Sequence, residues 1–374
     1  MKGIYDGYTP YPHKGEACFA GANTGRGFIG SYHVIVPEGS FDDGLERVYI
    51  IKGGSGTGKS TLMKKAAAEA EKRNLPVKYC YCGSDPDSLD AVILDGRIAV
   101  LDGTAPHVLD MKYPGACSSL IDVSRFWSEE QLEEQKEAII AYSQRKSALY
   151  QSAYQYLRAA EVLDNEITQT LFHAIDREKM RRWAERMAKS LCGREVRKAV
   201  SGKAEAKSVY TCGITMKGMV SLSTFAEKAE ARWGVNDVYG SASLLFNELG
   251  SAFIRLGLSV EYGRIPVNDK ICGLYVPDIR CAFTVNRGGE EENGKTLNMS
   301  RFIVKERFDP IKGRLKFTRK CINSMLDEAV SLLAEAGEQH HALEKIYIDR
   351  MDFKALNRYT NQVLGKIGEK LTTS

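Results

Sequence analysis

Residues Gly53-Gly54-Ser55-Gly56-Thr57-Gly58-Lys59-Ser60 constrain this chain more than any other eight. They match G-x-x-x-x-G-K-[ST], a glycine loop that wraps a phosphate. Residues 48–51 upstream (VYII) form an apolar, largely β-branched run that predicts a buried strand. Residues 61–73 downstream, rich in Ala, Lys and Glu, predict a helix. Glycines allow the tight turn that points successive amides at one anion. The helix start adds about half a positive charge in the same place. Such a loop assigns phosphate contact to Gly53, Gly54, Ser55, Gly56, Thr57, Gly58, Lys59, Ser60 and Thr61, with Lys59 on the β- and γ-phosphates and the Ser60 hydroxyl on Mg²⁺.

The second half of such a site is an acid at the end of another buried strand. Ile98-Ala99-Val100-Leu101-Asp102 supplies it, because four apolar residues put Asp102 at a strand's carboxyl end. Asp102 is the expected second holder of Mg²⁺, directly or through water. No Glu follows it. The chain runs on as Gly103-Thr104-Ala105-Pro106-His107, so no carboxylate base stands beside the metal acid.

The bulk numbers narrow the field. A chain of 374 residues with 43% hydrophobic and 27% charged content has material for two or three domains with proper cores. A net charge of +4, from 52 basic and 48 acidic residues, is too balanced for a nucleic-acid footprint. No apolar run is long enough for a membrane span, and residues 1–16 lack a leader's apolar stretch. Nine cysteines without C-x-x-C pairs read as reduced thiols of a cytoplasmic protein. Cys80 and Cys82, two apart on an expected strand, point to opposite faces.

The chain also reads as written twice. Leu75-Pro76-Val77-Lys78-Tyr79 recurs as Leu258-Ser259-Val260-Glu261-Tyr262, and helices expected at 61–73 and 244–256 then align. Thr24-Gly25-Arg26-Gly27 is echoed by Thr215-Met216-Lys217-Gly218. Residues 98–101 match 281–285, and His173-Ala174-Ile175 is set beside His341-Ala342-Leu343. In the second copy the loop shrinks to residues 237–243, with Ala242 or Ser243 opposite Lys59 and Val285 or Asn286 opposite Asp102. One working site and one structural or regulatory copy are expected. The fold class follows: α/β, a P-loop NTPase fold with a mostly parallel sheet flanked by helices, duplicated in tandem with helical appendages. The expected division is 1–205, with a glycine-rich hairpin in 1–46 and a helical insert at 128–191, and 206–374, joined through a polar linker at 193–207. Residues 288–294 read as an exposed turn. The basic run 177–186 reads as a solvated, ion-paired helix face.

Other candidates surround the loop. Asp85, Asp87 and Asp90 follow the second strand, and Asp85 is favoured to bind a second substrate or accept its proton. His107, just past the metal acid, is placed to orient water or sense the γ-phosphate. The expected catalytic set is Lys59, Asp102, Asp85 and His107. Arg26 or Lys217 could reach across the copies as a finger on the transferred phosphoryl group.

The runs GGSGTGKSTLMKK, SDPDSLDAV, AVLDGTAPH and Tyr113-Pro114-Gly115-Ala116, with residues 346–353 near the C-terminus, resemble an uncharacterised bacterial family of tandem P-loop ATPase-like proteins. The resemblance implies a duplicated ATP-binding fold and no particular substrate. Residues 101–106 (LDGTAP) are also similar to the L-D-G-F-P-R of nucleoside monophosphate kinases. Only 102 − 59 = 43 residues separate Lys59 from Asp102, which leans away from motor ATPases. The expectation is a Mg²⁺- and ATP-binding protein, an ATPase or ATP-driven switch. A small-molecule or nucleotide kinase and a non-hydrolysing regulatory protein that offers its helices to a partner protein are the alternatives.

Overall fold

The computed structural model describes residues 15–30, 44–105, 108–193, 204–286 and 295–372. The first half contributes β1 (Glu16–Phe19), β2 (Gly21–Thr24), β3 (Gly27–Gly30), β4 (Arg47–Lys52), β5 (Val77–Tyr81), β6 (Leu89–Leu94), β7 (Ile98–Asp102) and β8 (Ser118–Asp122). The second contributes β9 (Ala206–Tyr210), β10 (Cys212–Thr215), β11 (Gly218–Ser221), β12 (Ala231–Asn236), β13 (Val260–Arg264), β14 (Ile271–Val276), β15 (Cys281–Val285) and β16 (Lys295–Asn298). Twelve strands join in one mixed sheet, ordered β16-β12-β15-β14-β13-β9-β1-β5-β6-β7-β4-β8. Six of its eleven neighbouring pairs are parallel. The hairpins β2-β3 and β10-β11 stand apart from it.

Outward from the β9/β1 junction, the two sides have one order. β1-β5-β6-β7-β4-β8 is answered by β9-β13-β14-β15-β12-β16, with the same succession of parallel and antiparallel pairs. Even the register shifts correspond, between Cys80 and Tyr81 on one side and Gly263 and Arg264 on the other. The hairpin turns match as well. Thr24 and Thr215 each accept a backbone N–H two residues on (Arg26 and Lys217, 3.1 Å each) and donate to a carbonyl three residues on.

Six longer helices cover the sheet: α1 (Lys59–Glu71), α2 (Lys136–Phe172), α3 (Arg177–Cys192), α4 (Ala242–Arg255), α5 (Lys312–Ile348) and α6 (Phe353–Thr372). α1 starts two residues before the expected 61, because Gly58, at φ 81°, ends the loop in a left-handed turn. It stops at Glu71, and Asn74, at φ 58°, turns the chain into β5. α2 and α5 are each 37 residues long. The buried positions of α2 (Ala153, Leu157, Ala160, Asp164, Ile167, Leu171) alternate by four and three, the seam of a two-helix coil. Arg319 pairs with Asp164 and Arg314 with Glu166, so the two helices run antiparallel.

The helices after this pair change sides. α3 places Met180, Ala184, Ala188 and Cys192 in the core of the second half, with Leu245, Leu249 and Phe253 of α4. α6 returns Leu356, Val363, Ile367 and Leu371 to the core of the first half, with Leu62, Met63, Ala66 and Ala70 of α1. Matching bridges seal the crossings, Trp127 to Met351 and Ile175 to Ile303. The expected helical insert at 128–191 is therefore a short helix (Glu129–Glu133) and two long ones, and the second long helix leaves its own half.

The glycine-rich hairpin expected in 1–46 has its described part at β2-β3, where Phe28 pairs with Asn23 and Ile29 with Ala22. His173 follows α2, whereas His341 lies inside α5, so they hold different positions. Residues 177–186 do carry ion pairs on an exposed helix face, Arg181 with Glu178 and Glu185, and Arg182 with Glu178. Residues 31–43, most of the 193–207 linker and the 288–294 turn lie outside the described residues. Among the described residues, no helix is long and apolar enough to cross a membrane.

Candidate functional site

β4 lies between β7 and β8, parallel to both, and pairs Ile51 with Asp102. The loop leaving β4 and the acid ending β7 therefore meet at one carboxyl edge of the sheet, where ligands of such sheets bind. Lys59 is the first residue of α1, and its Nζ sits 3.6 Å from Asp102 Oδ2. The same ammonium donates to the Gly54 carbonyl at 2.6 Å, and the Thr57 hydroxyl donates to that carbonyl at 2.9 Å. Gly56, at φ 69°, turns the loop where α5 passes close by. A Cβ there would meet Glu344 and Ile348 at 3.0–3.1 Å. The N-cap of α1 is Gly58, which has no side chain to cap the helix's first amides.

The acid is held in place. Thr104 N–H donates to Asp102 Oδ1 at 2.8 Å, and the Thr104 hydroxyl donates to the Gly53 carbonyl at 3.1 Å. Burial raises the Asp102 pKa above the ordinary value, with the Lys59 charge and the Thr104 hydrogen bonds working against that rise. The Ser60 hydroxyl accepts the Leu89 N–H at 3.0 Å and keeps a second lone pair.

The remaining expected residues divide. Asp85 is engaged by its own turn, taking the Asp87 N–H at 3.2 Å and the Ser88 hydroxyl at 2.8 Å. Asp87 pairs at 2.7 Å with Lys217, which arrives from the other half's hairpin. Lys217 is thus brought to this edge of the sheet, on Asp87. Arg26 is exposed at its own hairpin turn, on the side of Tyr210. Asp90 is buried in β6. His107 lies outside the described residues.

Helix α5 brings residues that no local spacing announces. Glu344, His340 and Tyr347 come from the far end of the chain, and Trp127 lies tilted against Tyr347 with ring centroids 5.6 Å apart. Both rings back Gly54. His340 Nε2 is 3.5 Å from Glu344 Oε1. Burial pushes the Glu344 carboxyl up, while His341, the Gly56 N–H and Lys59 pull it down. Burial, with Lys146, His341 and Lys59 nearby, lowers His340 to about 4.

The matching position in the second half is closed. Its loop is one residue shorter, since β4 and β12 differ by 184 in number and α1 and α4 by 183. Ser243 accepts the Ile271 N–H at 3.2 Å as Ser60 accepts that of Leu89, which puts Ala242 opposite Lys59. Val235 pairs with Val285 as Ile51 pairs with Asp102, so Val285 stands where the acid would be. The Asp237 carboxylate lies inside the loop, accepting Gly240 N–H at 2.6 Å and Ala242 N–H at 2.7 Å. The loop's amides are satisfied by the chain itself. A cavity of about 410 Å³ lies beside it, lined by residues such as Thr168, Tyr239, Ser243, Arg264 and Lys270. Comparison of the chain with family models, curated proteins and solved structures gives no match.

Proposed function

We propose that the protein is a tandemly duplicated P-loop protein that binds Mg-ATP at the 53–61 loop and works as an ATPase or ATP-driven switch. One observation carries this reading: Lys59 and Asp102 stand 3.6 Å apart at the mouth of a glycine loop. A cation and an acid brought together beside uncapped amides fit a polyphosphate with its metal. The matching order of the sheet's two halves supports the duplication.

The donor set fits Mg²⁺. Ser60 and Asp102 offer hard oxygens from two adjacent elements. Among the described residues no cluster of three or more metal-ligating side chains occurs. Mg²⁺ commonly takes only one or two carboxylates and draws its other ligands from phosphates and water. When bound, the ion would neutralise phosphate charge. The chain's own part is to hold the phosphates on the loop amides and Lys59. Asp85 is occupied within its turn, so nothing in the geometry favours the kinase alternative over hydrolysis.

Thermal melting with Mg-ATP tests the reading. Ligand at 100 times its Kd stabilises by about 2.7 kcal/mol, which raises the midpoint by roughly 5–11 °C. The shift is expected to vanish in Lys59→Ala and fall in Asp102→Asn, with phosphate released in the absence of any acceptor. Well-folded protein that gives no heat with any magnesium-bound triphosphate would refute it.

A further inference from the structure

The cavity beside the second loop can be traced residue by residue to the first half. α2 and α5 correspond at one offset, since the bridges Trp127–Met351 and Ile175–Ile303 exchange when the numbers shift by 303 − 127 = 351 − 175 = 176. The bonds from Asp176 N–H to the Phe302 carbonyl and from Asp352 N–H to the Phe126 carbonyl exchange in the same way. On that alignment Thr168 and Leu171 stand where the first half has Glu344 and Tyr347. α4 follows α1 by 242 − 59 = 183, so Asn247 stands where the first half has Lys64. Lys64 reaches across to the Asp87 carbonyl at 2.6 Å, a span too long for an asparagine. Each of the three is smaller than its counterpart, and all three line the cavity of about 410 Å³.

The lining says what would fit. The loop amides beside it are already taken by Asp237. The charges around it cancel, with Arg264, Lys270 and Arg319 set against Asp269, Asp164 and Asp237. A polyphosphate therefore finds neither amides nor surplus cations there. Tyr239 instead presents an aromatic ring, steadied by Phe308 with centroids 6.5 Å apart. Its backbone stands at φ 53°, a conformation that a bulky residue rarely holds and that concentrates at binding sites. Leu171 and Leu244 add apolar surface. Hydrogen-bonding groups complete the lining. The Thr168 hydroxyl donates to the Asp164 carbonyl and keeps its acceptor sites, and the Ser243 hydroxyl accepts the Ile271 N–H and keeps its proton. The volume falls within the range of small-molecule sites.

We propose that this cavity is a second ligand site, built for a nucleoside: a flat ring against Tyr239 and the leucines, sugar hydroxyls on Thr168, Ser243 and Asn247, and no polyphosphate. Its occupant would touch α2, α4 and the turn between β13 and β14 together. The second half is then a binding module in its own right, and this reading stands independently of what the 53–61 loop holds.

Titration calorimetry of the full chain with adenosine, guanosine, cytidine and uridine tests it, with magnesium and triphosphate left out. Wild type is expected to take up one equivalent of at least one of the four. Asn247→Lys and Leu171→Tyr install the first half's own side chains, and each should weaken that binding about tenfold or more by filling the space. Asn247 is exposed, so its variant keeps the test open even where Leu171→Tyr, in the core, disturbs folding. Lys59→Ala should bind the nucleoside as wild type does, which separates this site from the phosphate loop. Loss of binding in either well-folded filled variant supports the site. Wild type that takes up none of the four, binding that the filled variants keep, or binding lost in Lys59→Ala overturns it, and none of these results touches the Mg-ATP reading.

Discussion

Replacing Asp237 by Ala isolates what the short loop contributes to its half of the sheet. The carboxylate accepts two backbone N–H groups, at 2.6 and 2.7 Å, where α4 begins. A hydrogen bond to a charged group contributes about 1.5–3 kcal/mol. The helix dipole adds about 0.3–1 kcal/mol for an anion in the first turn. These contributions do not add fully, because water reaches the partly buried amides once the carboxylate is gone. Losing an N-cap residue costs up to about 2 kcal/mol, so a net loss of about 2–3 kcal/mol is expected for a group that closes both the loop and the helix. In a thermal melt that is a fall of roughly 4–12 °C. Asp237→Asn keeps one acceptor without the charge and should fall about half as far. Titration of Asp237→Ala with Mg-ATP should still show one site, since Ala242 offers no ammonium. An Ala variant melting within about 1 °C of wild type would refute the argument that this acid holds the loop shut.

Further outcomes follow from the same geometry. Ser243→Ala breaks only the bond from the Ile271 N–H, and the midpoint shift with Mg-ATP should survive it intact. Asp164 is buried on the α2 seam among Lys270, Arg319 and Asn268. Asp164→Ala leaves the Lys270 charge without its closest partner and should cost about 3–5 kcal/mol in urea denaturation; a loss under about 1 kcal/mol would contradict the pairing. His340 is held at about 4, below its ordinary 6.5, by burial first and then by Lys146, His341 and Lys59. The unfolded chain takes up that proton before the folded one, so stability falls as pH drops from 6.5 towards 4. The raised Glu344 works in the opposite sense, because the folded state gains its proton first. After allowance for partial exposure, His340→Gln should recover about 1–2 kcal/mol at the acid end of that window, read from denaturation midpoints across pH.

The part of the site that local chemistry writes was legible. The strand, the glycine loop and Lys59 are contiguous, and four apolar residues announced Asp102 at the end of β7. The correspondence of Thr24-Gly25-Arg26-Gly27 with Thr215-Met216-Lys217-Gly218 was visible because both turns use the same threonine hydrogen bonds. The plug on the second loop was only half visible. Its missing lysine is plain in the string, but the role of Asp237 depends on where its carboxylate turns. Glu344 and His340 were out of reach. They sit in the middle of a 37-residue amphipathic helix, where a charge every few residues is ordinary, and only the packing of α5 across the loop sets them apart. The exchange of α3 and α6 was equally hidden, because each has the buried stripe of any surface helix and says nothing of which sheet it meets.

That exchange governs how the molecule can be made. The first sheet core is not finished when the first half has been synthesised, for it waits on Leu356, Val363, Ile367 and Leu371. A nascent chain cut near residue 200 would expose the face of α1 that these residues cover, and would carry on α3 a stripe meant for helix α4, not yet built. Folding must therefore close contacts across about 300 residues of sequence, the kind of distant pairing that slows acquisition of the native state. A holding chaperone, or rapid completion of the polypeptide, suits such a topology better than stepwise maturation from the amino end.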